Sequence, residues 1–508
     1  MFMSSTASRA QGRELRASFS VLAMRSYLYP SYEHRLTAHL GRGLRTPVPA
    51  LRLDLFRVAI GCLGFAYFVR LILETPDFSS PHGLLDHDYL TRVLWFTRWS
   101  LFQPGMPEGT FYFAYGLGAA SCLGIVAGIQ TKPLAGLAFL IAASHYRWNF
   151  VVLSVDDSIV HLLFFWLLLL PVGRTLRLAD VRRRGLSGAW SDAAGHLVPG
   201  FAVRLLTANV CLIYLTAGLA KLGWSELWRS GFALYAILRQ PISYAPDLWQ
   251  PASLAWLVPL NYAALAAELA LPFMLLGIGG RRGKALGLAL AALFHVGILV
   301  TLKIPFANLG MLAAMLVVFA PELGRRLGSA ASGPVSPPVA AMPLLATERM
   351  AICLIVLLAM AMLRGVPFIG SVHRPAFATL WAMGLAQDYQ LFKWVDGLNY
   401  HARNQVVLEP GAAPPRELAA DEVLPRSMRH VLLQAQTVGI RWMPFPRAER
   451  PALRAQLRER LSARACRVAR DPGRLVATVT LQRITPDNLE LRQGRSRIVF
   501  TSYCGRTT

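Results

Sequence analysis

The apolar residues of this chain fall into long runs separated by short polar breaks. A bilayer core about 30 Å thick needs roughly 20 apolar residues of helix. Nine stretches approach that length, at about 53–73, 110–129, 133–150, 156–172, 200–222, 258–279, 284–303, 305–320 and 350–369. The third is interrupted by His145 and Arg147, and the eighth is short. Between the fifth and sixth runs, Gly223 to Val258 carries Trp224, Trp228, Tyr235, Tyr244, Trp249 and Trp256, a density that fits a segment at the membrane interface. Residues 328–344 read as a flexible Pro/Ser/Ala linker. Beyond 371 the chain turns polar, with helical periodicity over about 420–438 and 446–465 and strand-like alternation over Leu475–Leu481 and Arg497–Tyr503. The pattern predicts an N-terminal segment (1–50), an all-α polytopic membrane domain of about nine transmembrane helices (51–370), and a small C-terminal α+β domain outside the membrane (371–508).

The loops orient this arrangement. The N-terminal segment carries Arg9, Arg13, Arg16, Arg25, Arg35, Arg42, Arg45 and Arg52 against Glu14 and Glu33. Excess Arg and Lys holds loops in the cytoplasm. With nine spans, the basic loops near Lys132, Arg174–Arg184, Arg281–Lys284 and Arg325–Arg326 all fall on the side of the N-terminus. The loops holding Glu74, Asp77, Asp86 and Asp88, and Asp156 and Asp157, fall on the other. The expectation is a multi-pass protein of the plasma (inner) membrane, N-terminus cytoplasmic and C-terminal domain extracytoplasmic. Residues 1–50 lack the apolar run of a cleavable signal, so the first span serves as its own insertion signal.

Composition agrees with the pattern. Of 508 residues 54% are hydrophobic and only 16% charged, against about 25% charged in soluble domains. A disordered chain is excluded by the hydrophobicity, and a disulfide-dense mini-domain by having six cysteines at this length. The net charge of +24 would suit a nucleic-acid binder, but the basic loops make it a topology signal, so the expected surroundings are membrane lipid and not nucleic acid. Residues 371–508 hold about 21 basic against 11 acidic residues, which invites an anionic partner, either lipid headgroups or an acidic peptide or protein; a merely solvated basic surface is the alternative. Cys62, Cys122, Cys211 and Cys353 lie in spans, where small apolar packing is the default role. Cys466 and Cys504 lie in the external domain, where a disulfide and two free thiols are both open.

Ionisable groups in a bilayer cost roughly 2.5–3.5 kcal/mol each by insertion scales, so each needs a reason. Arg57, Arg70 and Arg204 lie near span ends, where snorkelling explains them. Lys221 is different. The chain has five lysines among its 52 basic residues, yet a lysine ends the apolar run Tyr214-Leu-Thr-Ala-Gly-Leu-Ala-Lys221-Leu. A desolvated lysine can lose its proton and act as a base, which arginine cannot; an interfacial anchor is the alternative. His295 lies inside the seventh span, where a neutral histidine bonded to a neighbour is the plain account. Glu268, mid-span in the sixth, needs a cation or a proton. Asp157 and His161, four residues apart, share one helix face, and Asp157 also suits a helix N-terminus. Under the topology above these groups lie at similar depth, which suggests one polar cavity open to the outer side. No metal-ligand spacing, Walker loop, nucleophile elbow or dinucleotide fingerprint accompanies them, nor does an internal repeat of the transporter type.

Residues 50–320 resemble the horizontally transferred transmembrane (HTTM) family, the membrane domain shared with vitamin K-dependent γ-glutamyl carboxylase. The resemblance rests on Arg147-Trp-Asn149 with Asp157; on Arg204 with the Tyr214–Leu222 run; on Trp228 and Gly231; and on Glu268, Phe294-His295 and Phe306. The Tyr-x-x-Ala-Gly-x-x-Lys-Leu run is its most specific part. It implies that Lys221 is a general base acting on a reduced quinone of the vitamin K or menaquinol kind, with His295 stabilising developing charge. Asp157 and Glu268 join these as catalytic candidates, and Tyr214, Trp228 and His161 as cofactor-binding ones. The carboxylase has an Asn-His pair where this chain reads Val155-Asp-Asp-Ser-Ile-Val-His161, and a far larger lumenal part than 138 residues. The bias toward Arg and Ala suggests a high-GC bacterium, in which menaquinol would be available. The two readings are therefore a carboxylase-like, quinol-dependent membrane enzyme of the carbon–carbon lyase class, and a non-catalytic membrane protein that binds a lipid or protein partner.

Overall fold

The computed structural model describes residues 47–326 and, with breaks, 350–504. The N-terminal arginines up to Arg45, the 328–344 linker and most of the ninth expected span lie outside the described residues. The other eight expected spans coincide with helices: α1 (Ala50–Glu74), α2 (Glu108–Ala127), α3 (Thr131–Trp148), α4 (Val155–Leu169), then, after a polar connecting helix α5 (Leu178–Gly195), α6 (Phe201–Trp224), α7 (Leu254–Leu275), α8 (Gly280–Thr301) and α9 (Pro305–Arg326).

Five helical segments, Ala50–Ser79, Glu108–Ala127, Phe201–Trp224, Pro251–Leu275 and Gly280–Thr301, are long and apolar enough to cross a bilayer, which makes this a multi-pass membrane protein. Of the nine expected spans, five are matched in this way; most of the ninth lies outside the described residues, and three coincide with helices that fall short of this length or apolarity. α3 carries Lys132, His145 and Arg147 within or beside 18 residues. α4 has only 15 residues, short of a full bilayer crossing, and neighbouring helices bury it on nearly every side, including at Ile159, Leu163, Phe164 and Trp166. The part of α9 described in full, Pro305–Val318, is apolar but shorter than a span.

Helix α4 packs at the centre of the bundle against α1, α3 and α9, while α7 packs on α6 and α8 bridges α7 and α9. Two of the three arginines expected to snorkel, Arg57 and Arg70, do not. Arg57 is fully buried and donates to Asp54 (3.0 Å) and to the carbonyls of Ile125, Val126 and Leu176. Asp54 in turn accepts from Gly173 and Thr175. This buried, fully bonded pair ties α1 to the chain following α4, and such burial requires the pairing. Arg70 is likewise paired, with Glu74 and Asp156.

The C-terminal region forms a four-stranded antiparallel sheet in the order β4-β3-β5-β6, with β3 (Tyr400–Glu409), β4 (Arg416–Leu418), β5 (Gly473–Arg483) and β6 (Arg495–Cys504). β1 (Val48–Pro49) and β2 (Leu197–Val198) form a separate two-residue ladder at the start of α1. The period-two burial of Leu475, Ala477 and Val479 on β5 faces α11 (Arg450–Ala469), whose Leu453, Leu457, Leu461 and Ala465 recur every four residues. A shorter helix, α10 (Met428–Thr437), packs on α11. A disulfide joins Cys466 of α11 to Cys504 of β6. This core is continuous with Phe78, Leu84, Leu85, Leu90 and Phe96 after α1 and with Phe150–Leu153 before α4, so the region is docked on the loops of the bundle.

Part of its arginine excess serves that docking. Arg464 pairs with Asp77, and Arg460 donates to the carbonyls of Pro81 and Gly83.

Candidate functional site

Lys221 stands in the last turn of α6 and is buried. Its Nζ donates to Oε1 of Glu268 on α7 and lies 4.9 Å from the ring centre of Trp228. Two features of sequence let the helices meet there. A Cβ on Gly218 would lie 2.9 Å from Leu269 and 3.3 Å from the Glu268 Cβ, so the glycine of the Ala-Gly step admits α7 closely. Pro272 lacks the N–H that would bond the carbonyl of Glu268 four residues back, which loosens α7 at that residue. Glu268 is itself buried, and its second oxygen, Oε2, has no hydrogen-bond partner among the described residues. A buried carboxylate oxygen without a donor is costly, so this atom marks a place for one.

One and two turns before Lys221 on α6, Thr216 bonds back to its own helix and Tyr214 turns to α8, where its hydroxyl meets Nε2 of His295 at 2.5 Å. The direction of this bond follows from the far side of the ring. Asn308 of α9 donates through Nδ2 to the carbonyl of Ile304 (2.7 Å), which leaves its Oδ1 to accept from His295 Nδ1 at 2.8 Å. With the proton on Nδ1, neutral His295 presents Nε2 as an acceptor, and Tyr214 donates to it. The tyrosine oxygen keeps its lone pairs for a further donor.

These groups line one cavity of about 440 Å³. Apart from Thr301, its remaining walls are apolar or aromatic, including Ile213, Leu257, Phe294, Met311 and Trp249. On the side between α7 and α8 it is bounded by Leu260, Leu293 (72% exposed) and Val300 (67% exposed). Exposed large aliphatic side chains on two membrane-length helices suit contact with lipid on this side. The cavity lining is mostly apolar, with the expected polar groups confined to a few positions. The aromatic segment 223–258 also divides: Trp228 and Tyr235 are buried in folded structure, whereas Trp224, Tyr244 and Trp256 are exposed.

The sequence candidates separate into two groups. Lys221, Glu268, His295, Tyr214 and Trp228 come together in the cavity. Asp157 does not join them. Its Oδ2 accepts from the Ser154 N–H in a capping box, and its Oδ1 accepts from Tyr67 (2.9 Å) and from Arg429 of α10. Arg429 also donates to Glu74 at 2.6 Å. His161, one turn further along α4, packs its ring 4.4 Å from Phe139 and 5.9 Å from Tyr146, among aromatics of α3. The i, i+4 spacing placed Asp157 and His161 on one helix face, but that face meets α1, α3 and the C-terminal region. What α4 contributes to the cavity is Val155 and Ile159.

The sequence singles out neither Asn308, which lines the cavity, nor Arg429, the partner of Asp157. Asn308 is a lone amide at the start of an apolar helix, a signal of the same kind as His295. Arg429 gave none, being one of many arginines in a polar region.

No family model, curated protein or solved structure matches this chain.

Proposed function

We propose that the cavity between α6, α7, α8 and α9 binds a lipid-soluble quinol and that Lys221 and Glu268 act as one acid–base pair on its hydroxyl group. The observation that carries this reading is the Glu268 Oε2 that has no partner among the described residues, buried beside a lysine in an apolar cavity bounded by exposed aliphatic side chains of α7 and α8. The residues suit such a ligand. A volume of about 440 Å³ lies within the roughly 300–1,000 Å³ of small-molecule sites and accommodates a ring head, while the exposed aliphatic side chains of α7 and α8 suit an isoprenoid tail. A quinol, when bound, would supply an ionisable hydroxyl and reducing equivalents.

The chain's own groups divide the work. Glu268 Oε2 accepts a proton from a hydroxyl placed in the cavity. The Lys221 ammonium, held at Glu268 Oε1, stabilises the oxyanion that remains. Tyr214, fixed as a donor to His295, offers its oxygen to a second hydroxyl. The apolar walls exclude water, which strengthens each of these interactions. The resemblance to the HTTM family supports the choice of a quinol, and with it a cavity at the extracytoplasmic end of the bundle. Carboxylation of a propeptide-bearing protein is not part of the proposal. The residues at the start of α4 where the carboxylase has Asn-His are Asp156 and Asp157, and both are engaged in ion pairs.

Mass spectrometry of small molecules that co-purify with the detergent-extracted protein tests this reading. A quinone present with the wild-type chain and lost from Lys221→Ala and Glu268→Gln supports it. A quinone absent from all three, or retained by all three, overturns it.

A further inference from the structure

The cavity histidine is held by a series of contacts that begins in the C-terminal region. His295 is oriented by Asn308, which stands just inside the N-terminus of α9. The residues before that helix, Lys303 and Ile304, carry no side-chain oxygen to cap its free N–H groups. The cap comes instead from α4: Asp156 Oδ1 accepts from the Ala307 N–H at 2.8 Å. Its other oxygen receives Arg70 Nη1 at 3.2 Å; Arg70 Nε donates to Glu74 Oε1 at 3.0 Å; and Glu74 Oε2 receives Arg429 Nη1 at 2.6 Å. Asp156 and Arg429 are both about 1% exposed.

Two neighbouring carboxylates of α4 thus serve different partners. Asp157 caps its own helix and meets Arg429, while Asp156 caps α9. The partial positive charge of the α9 N-terminus suits a carboxylate there, and the first turn it holds contains the residue that fixes the tautomer of His295.

We propose that Asp156 is a positioning residue for the cavity. By holding the first turn of α9 it keeps Asn308 against His295 Nδ1, and hence Nε2 toward Tyr214. Arg429, through Glu74 and Arg70, makes this geometry depend on the docking of the C-terminal region. The inference rests on the cavity being a quinone site, and its test separates the two. Trp228, Trp249 and Trp256 line the cavity, so menadione, a quinone ring without a tail, is titrated against the full-length protein in detergent and read by quenching of tryptophan fluorescence. Asp156→Asn retains an oxygen for Ala307 N–H; Asp156→Ala does not.

The expected result is wild-type quenching, affinity within about threefold of it for Asp156→Asn, and a loss of about tenfold for Asp156→Ala and for Asn308→Ala. A role confined to stability would lower the melting temperature without this rescue by asparagine. Equal losses in the two Asp156 variants, or wild-type affinity in Asn308→Ala, overturn the positioning role. Should Asp156→Ala fail to fold, Asn308→Ala and Asp156→Asn still decide it, because Asn308 lies outside the ion-pair network. Absence of quenching in the wild-type protein overturns the quinone reading and this inference with it.

Discussion

Lys221 donates to one carboxylate oxygen of Glu268, 47 residues away in sequence and on the next long helix, and the other oxygen has no partner among the described residues. The pair is buried, so neither member tolerates the loss of the other. Lys221→Met or Glu268→Leu alone strands a buried charge and should destabilise the protein by about 3–5 kcal/mol, whereas the double variant should recover most of that. Unfolding of the four proteins in detergent measures the cycle; additive losses would show that the two side chains do not act as a pair.

The same geometry separates a lysine base from an ion-pair site. Arginine stays protonated. If Lys221 itself takes the proton, Lys221→Arg removes activity as fully as Lys221→Ala. The pair described here predicts that Lys221→Arg keeps a measurable fraction while Glu268→Gln loses about 10²-fold or more, the scale of removing a general base. Rates with a reduced naphthoquinone under air provide the comparison.

The docking of the C-terminal region centres on Arg429, which meets Asp157 and Glu74 inside the protein. Arg429→Leu leaves two acidic groups facing an apolar side chain. It should cost about 3–5 kcal/mol and raise hydrogen exchange in β3, β5 and β6 well above that in α1 and α2. Unchanged protection in the sheet would show that the docking rests on the apolar contacts alone.

His87 supplies a pH dependence outside the membrane spans. Burial holds its imidazole down at about 4, from an ordinary value of 6.5, although its Nε2 donates to the Phe78 carbonyl at 2.7 Å and its ring stacks on Trp148. Between these two values the unfolded chain binds the proton and the folded chain does not, so stability falls as pH is lowered through that window and is regained above 6.5. The loss by pH 4 is on the order of 3 kcal/mol. Melting temperatures at pH 7 and pH 5 for the wild type and His87→Gln check this, the variant being expected to show the shallower slope.

The Cys466–Cys504 bridge closes a segment with a sequence separation of 38. In the chain-entropy account a loop of that size is worth about 4 kcal/mol. Reduction, or Cys504→Ser, should therefore lower the unfolding transition of the sheet while leaving the bundle helices largely intact, as followed by proteolysis of the C-terminal region. Co-operative loss of both would show that the two parts unfold as one.

Much of this was readable in the residues, and for identifiable reasons. Long apolar runs declare helices wherever they occur, so the positions of α1 to α4 and α6 to α9 follow from hydropathy. What hydropathy does not distinguish is lipid from protein as the apolar surroundings. α4, with Phe164 and Trp166 fully buried, meets its neighbours α1, α3 and α9 on nearly every side, which the apolar run alone does not reveal. Lys221 stood out because this chain so rarely uses lysine, and Glu268 because a carboxylate in mid-helix demands a partner. That each satisfies the other depends on α6 lying against α7, and adjacency of helices leaves no mark in one sequence. Asp157 illustrates the reverse case. Its depth matched that of Lys221, yet its partner is Arg429, 272 residues away. Arg57 has the position of a snorkelling side chain, but the loop bearing Thr175 folds over it and completes the Asp54 pair, a contact that its local sequence does not announce.

The most direct test of the central proposal is optical. Reduced menadione is mixed anaerobically with the detergent-solubilised protein at neutral pH, and its absorbance is followed for the shift that accompanies ionisation of the hydroxyl. The Lys221–Glu268 pair predicts a saturable red shift with the wild-type protein that is absent with Glu268→Gln and diminished with Lys221→Ala. A spectrum that stays that of the neutral quinol throughout the wild-type titration, or an equal shift in all three proteins, would contradict it.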